Sequence, residues 1–161
     1  MFEVLVFVYE NYWRGDACPE SQQLGRKLTA VGFEADEIAE ALRWLDGLHI
    51  ASHSPILTPS PLAIEAMDFP ATDSLRVYSV AEQDHLGAEC LGFVSFLETA
   101  GVLAPVMREI VLDRAMAASG NPVTLDDLKI IILMVYWSFG EEPDALVLDE
   151  LCDDASDRVA H

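Results

Sequence analysis

Thr124 to Gly140, TLDDLKIIILMVYWSFG, is the stretch whose reading decides the fold. From Ile130 to Trp137 every residue is apolar. At about 100° per residue, such a run covers the whole circumference of a helix and leaves no face for water. Thr124 can cap its first turn, Asp126 and Asp127 stand where the dipole favours negative charge, and Gly140 can close it in the left-handed conformation. The helix so predicted, 124–139, is roughly 22 Å long, short of the ~20 apolar residues that a bilayer span requires. The chain is therefore expected to be mainly α, a helical bundle around this central apolar helix, with no segment spanning a membrane.

The bulk numbers agree with a packed interior. A chain of 161 residues has one domain's length, and 52% hydrophobic content supports a substantial core. Against that stand 28 acidic and 9 basic residues, a net charge of −19. Binding to nucleic acid is driven by basic groups displacing counterions, so this charge disfavours DNA, RNA and anionic lipid and favours a protein partner with a basic surface. The three cysteines, Cys18, Cys90 and Cys152, form no CxxC pair and are odd in number, which argues against a disulfide framework and a zinc knuckle. No basic region precedes the short apolar run at the start, and Glu3 interrupts it, so no secretory signal is expected and the protein is placed in the cytoplasm.

Outward from the central helix, the chain divides into a three-helix subunit over 1–48, an irregular connection over 52–74, a helical bundle over 79–151 and a frayed acidic tail over 152–161. Phe2 to Trp13 is rich in β-branched and aromatic residues, yet the spacing of Phe2, Leu5, Val6, Tyr9 and Trp13 fits one face of a helix. Leu24, Leu28 and Val31 give a second helix, closed by Gly32 with Phe33 placed for a Schellman contact. Ile38, Ala41, Leu42, Leu45 and Leu48 give a third, over 34–48. Its outer face carries Asp36, Glu37, Glu40, Arg43 and Asp46 in place of the basic and amide groups that a DNA-reading helix needs. Pro55, Pro59, Pro61 and Pro70 mark the irregular connection. The triplets at 49–51 and 76–78 could pair as a small β-wing on the three-helix unit. Ser79 with Glu82 is a capping box opening a helix of ~20 residues that ends at Gly101. Pro105 starts the next, to about Ala118, and Pro143 starts a last one through Leu151.

Candidate sites are few. His49 and His53 have the i, i+4 spacing of two ligands on one helical face, but Ser52, Ser54 and Pro55 are expected to break the helix there, and no metal site is assigned. The acids after Gly140 lack the alternating ligands and central glycine of a calcium loop and read as a solvated face and tail. Arg108, Glu109, Asp113 and Arg114 read as surface ion pairs, with an interior Arg114 paired to Asp126 or Asp127 as the sharper alternative. No GxSxG, P-loop, GxGxxG or Cys–His pairing is readable, so no catalytic or cofactor-binding residue is assigned. Trp44 lies at the edge of an apolar stripe, where it either covers the core or anchors a partner. The candidate partner contacts are Trp44, Glu37, Glu40, Asp149, Asp153 and Asp154.

The segments MFEVLVFVYENYW, GFEADEIAEALRWL, LRVYSVAEQDHLGAECLGFVSFLETAGVL, REIVLDRAM and TLDDLKIIILMVYW, taken in order, resemble the Smg protein family, small acidic bacterial proteins without an assigned activity. The resemblance runs from Met1 to about Trp137. It implies a cytoplasmic, mostly helical bacterial protein whose genes often lie near ones for DNA processing and translation, and it supplies no catalytic residue. The function expected is that of a protein-binding or regulatory factor acting through a basic partner. The alternatives are a nucleic-acid-binding module built on the winged-helix-like N-terminal half, and an enzyme of unrecognised type.

Overall fold

The computed structural model describes residues 1–12, 20–53, 77–119 and 122–144, together with 147 and 149. Among them are six α-helices and no strand: α1 (Phe2–Tyr12), α2 (Ser21–Val31), α3 (Ala35–His53), α4 (Val80–Thr99), α5 (Pro105–Met116) and α6 (Leu125–Ser138). None of these helices is long and apolar enough to cross a membrane.

The apolar run forms α6, and α1, α3, α4 and α5 all pack against it. Leu128, Ile131, Ile132, Met134 and Val135 have no exposed surface, while Ile130 and Trp137 sit half-buried at the margin. Each such aliphatic side chain contributes about 1.5–3 kcal/mol on leaving water, so the helix with most burial carries the core. Its ends close as the sequence predicts. The Thr124 hydroxyl accepts from the Asp127 N–H at 3.2 Å, and the N–H groups of Gly140 and Glu141 return to the carbonyls of Trp137 and Tyr136.

α1 is a helix despite its strand-like composition, because it has two neighbours to fill. Val4, Leu5, Val8 and Tyr12 are buried between α3 and α6, a stripe rotated from the predicted one, and Phe2 and Tyr9 lie at its edge. Trp137 donates its indole N–H to the Tyr12 carbonyl at 3.4 Å, tying the end of α6 to the end of α1.

α2 ends as expected. Gly32 takes φ 113°, and the N–H groups of Gly32 and Phe33 satisfy the carbonyls of Thr29 and Leu28. α3 then continues past Leu48 to His53, so residues 49–51 are helical and the β-wing is absent from them. Side chains of the last turn support the extension: the Ser52 hydroxyl and His53 Nδ1 both reach the His49 carbonyl, at 3.1 and 2.9 Å. Arg76, the other half of the expected wing, lies outside the described residues, as do most of the 52–74 connection, most of the expected last helix and the tail.

The helix expected to run straight over 80–100 does not. Ser79 and Glu82 form the capping box, but Gly87, at φ 73° and ψ 167°, breaks the helical path within α4. That backbone region is open essentially to glycine alone. Tyr78 Oη lies 3.2 Å from Ser95 Oγ, whereas a straight helix would hold residues that far apart in sequence by about 25 Å. The chain therefore turns back on itself at Gly87.

α5 starts with Pro105 in its first turn and ends against side chains from two other helices. Trp44 of α3 donates its indole N–H to the Arg114 carbonyl at 3.0 Å, and His85 Nε2 donates to the Ala115 carbonyl at 3.1 Å. Both carbonyls belong to the last turn; that of Ala115 also receives the Ala118 N–H at 3.2 Å. Arg114 itself bonds its neighbour Asp113 through Nε and Nη2, at 2.9 and 2.6 Å, so the surface pairing holds and the interior pair with Asp126 or Asp127 does not form. Its guanidinium nevertheless approaches Gly47 of α3, Nη1 foremost, where an added Cβ would stand 2.0 Å from Nη1. Arg108 joins Glu98 and Glu109 in the same manner, at the α4–α5 contact.

Candidate functional site

Where α2 begins, α3 passes and α6 ends, the three helices leave a groove of about 380 Å³ lined by Glu20, Leu24, Leu42, Leu45, Asp46, His49 and Trp137 among others. The sequence builds it from one flank of α3. Leu42, Leu45 and Asp46, then His49, recur at three and four residues, which lines them along one side of a helix, while Trp44 and Leu48 turn inward. Trp137 supplies the wall from α6, its indole held by the bond to Tyr12. Ser138 turns its hydroxyl back to the Val135 carbonyl at 2.7 Å. Glu20 precedes α2 in an extended conformation with no side-chain cap, leaving its carboxylate at the rim with Asp46. The result is an apolar floor of leucines and one indole under acidic edges.

This arrangement suits an apolar side chain flanked by positive charge. It does not make a nucleophile. The Ser52–His53 contact of 3.1 Å lies next to the groove, but the Ser52 hydroxyl donates its proton to the His49 carbonyl and is not activated by the imidazole. The Cys90 thiol is buried between α4 and the start of α6, donates to the Val123 carbonyl at 3.4 Å, and is pushed up to about 11 by burial and then by the nearby Glu89 and Asp127 carboxylates. Such a thiol is inert. Burial, with Glu141 adding to it, likewise raises the Tyr136 phenol, which donates to the Val102 carbonyl. Among the described residues, no group of three or more His, Cys, Asp or Glu stands ready for a metal ion.

The residues singled out in the sequence scatter. Trp44 is 4% exposed with its N–H satisfied, so it serves the core and holds α3 to α5; the contact expected of it with a partner would require it to leave that position. Glu37 lies 3.8 Å from the Met1 amino nitrogen, and with Glu40 it flanks the inward stripe of α3, away from Asp46. Asp149 is exposed, and Asp153 and Asp154 lie outside the described residues. Asp46, Glu20 and Trp137 were not singled out. Only Asp46 gave a signal, as an acid sharing a helical flank with Leu42 and Leu45.

Lys129 was also missed. It is 4% exposed within α6, and its ammonium stands 5.7 Å over the Phe93 ring of α4, where the aromatic face attracts it. Standing immediately before the uninterrupted apolar run, it reads in one dimension as the last solvated residue; only the packing of α4 across it shows otherwise.

Comparison with known proteins completes the picture. No solved structure matches the chain. A family described as "Protein of unknown function (DUF494)" matches residues 1–161. A protein named Protein Smg homolog from Leptothrix cholodnii is 63% identical over 161 residues, covering the whole of both chains. Its namesake from Methylibium petroleiphilum is 58% identical over 161 residues, again end to end, and that from Herminiimonas arsenicoxydans 48% over 164. Likeness of that extent, reaching both ends of the sequence and including the groove-forming helices, means that the chain belongs to the Smg family.

Proposed function

We propose that this chain is a non-catalytic binding factor that works in the cytoplasm by docking a basic protein segment in the groove between α2, α3 and α6. The observation that carries the reading is the pairing of an apolar floor, Leu24, Leu42, Leu45 and Trp137, with the carboxylates of Glu20 and Asp46 at its edge, on a chain of net charge −19. An apolar anchor contributes affinity through burial, and the acids select a neighbour bearing lysine or arginine. The long-range field of the acidic surface steers such a partner at low salt. A regulatory role in DNA processing or translation fits a partner of this kind, since proteins that handle nucleic acid carry basic faces.

The test is a pull-down from the source cell at low and moderate salt, comparing the native chain with the double variant Glu20→Lys, Asp46→Lys. A basic protein recovered by the native chain, released by salt and lost from the variant supports the reading. Equal recovery by both, or no salt-sensitive partner, removes it. Fluorescence anisotropy with labelled duplex and single strands at low salt runs beside it, and binding there moves the function to nucleic acid.

A further inference from the structure

His49 and His53 close α3 with their rings 4.2 Å apart, centroid to centroid, and their planes 39° apart. Because the helix runs unbroken to His53, the i, i+4 spacing places both imidazoles on one face. The tautomer of His53 follows from its partners. A carbonyl oxygen only accepts, and the His49 carbonyl lies 2.9 Å from His53 Nδ1. The Ser52 hydroxyl, 3.1 Å from the same Nδ1, has spent its proton on that carbonyl and also accepts. In the neutral ring, Nδ1 therefore carries the proton and Nε2 presents the lone pair.

That is how a metal-binding imidazole is held, with the far N–H anchored on a backbone carbonyl so that ring and lone pair are fixed. Two metal–nitrogen bonds of about 2.1 Å need the nitrogens roughly 3.0–3.4 Å apart, within reach of rings already in contact. Two other features favour a cation here. The rings lie at the carboxyl end of a helix, where the backbone dipole is negative, and Asp46 stands one turn before His49 on the same groove. Neutral imidazole pairs prefer borderline ions to magnesium or calcium, which take oxygen ligands.

We propose that His49 and His53 form a two-nitrogen site for a divalent transition-metal ion of the zinc or nickel class, the remaining positions being filled by water or by an incoming ligand. His49 also lines the groove, so the site adjoins it. The site stands on the imidazole geometry alone and does not depend on the partner reading above.

The experiment titrates the full chain with Zn²⁺, following heat and the imidazole ¹⁵N resonances, and compares His49→Gln, His53→Gln and, as control, His161→Gln. One ion per chain is expected, with the Nε2 resonance of His53 and a ring nitrogen of His49 moving on binding. Each single variant should bind about tenfold or more weaker, because the second nitrogen otherwise closes the chelate intramolecularly. The control should bind like the native chain. Zinc binding unchanged in both His49 and His53 variants, lost equally in the control, or absent in the native chain overturns the site. Circular dichroism of each variant shows whether it has folded, and the ¹⁵N shifts of the native chain decide the matter should a variant fail to fold.

Discussion

Trp44 and Arg114, on different helices, are joined by a hydrogen bond that leaves the charge of Arg114 out of it: the indole N–H donates to the Arg114 main-chain carbonyl at 3.0 Å. The tryptophan completes the last turn of α5. Trp44→Phe keeps an aromatic ring, though a smaller one, and removes the donor, leaving a carbonyl short of a partner at a buried junction. We expect a loss of about 1–3 kcal/mol, read from urea unfolding with the slope unchanged. Trp44→Ala should lose about 3–5 kcal/mol through the cavity it adds.

Gly47 and Arg114 should show coupled energies. An alanine Cβ at position 47 would meet Nη1 at 2.0 Å and Cζ at 3.0 Å, so the guanidinium must swing away. Within a helix, glycine to alanine otherwise gains about 1 kcal/mol. Gly47→Ala should thus gain little in the native background and close to that full amount in an Arg114→Ala background. Additive energies in the four-member cycle would contradict the contact.

Two glycines of α4 should respond with opposite signs. Gly87 holds φ 73° and ψ 167°, which no L side chain adopts readily, so Gly87→Ala should lose about 1–3 kcal/mol. Gly92 has no positive φ and open space where a Cβ would go, so Gly92→Ala should gain about 1 kcal/mol. Thermal melting of the pair is the check, and like signs would refute the bend.

Alkaline pH should weaken the fold in a defined window. The Cys90 thiol ionises near 9 when the chain is unfolded and only near 11 when it is folded. Between those values the native state holds the proton that the unfolded state has lost, so stability falls as pH rises, by at most roughly 1.4 kcal/mol per unit for one group. Below about pH 9 this group contributes no slope. Tyr136, also raised, adds to the fall in the same direction. Cys90→Ala should flatten part of the decline between pH 9 and 11 in melting curves. At neutral pH, Cys90 should resist thiol reagents until the chain unfolds.

How much of this could be read in one dimension differs by element. The α6 run declared itself, because an unbroken apolar stretch with a capping threonine and a closing glycine has one cheap solution. The turn after α2 was equally plain, Gly32 and Phe33 being the residues that the motif needs. The end of α3 was not. Ser52, with Ser54 and Pro55, reads as a helix breaker, yet the Ser52 and His53 side chains satisfy the helix's own carbonyl, a local effect that propensity ranks do not contain. The bend at Gly87 was missed because one glycine inside a periodic pattern is usually tolerated, and what decides it is the Tyr78–Ser95 contact made later in the chain. The groove needed three helices to be placed before any of its acids could be distinguished from the many others.

The bond between Trp137 and Tyr12 spans 125 positions of sequence. On the ribosome, α1 emerges long before the helix that covers it, and its Val4, Leu5 and Val8 face the cytosol unprotected while the intervening residues are added. Final closure must therefore await the release of α6, and nascent fragments that stop short of Leu125 expose an oily surface that chaperones or proteases would recognise.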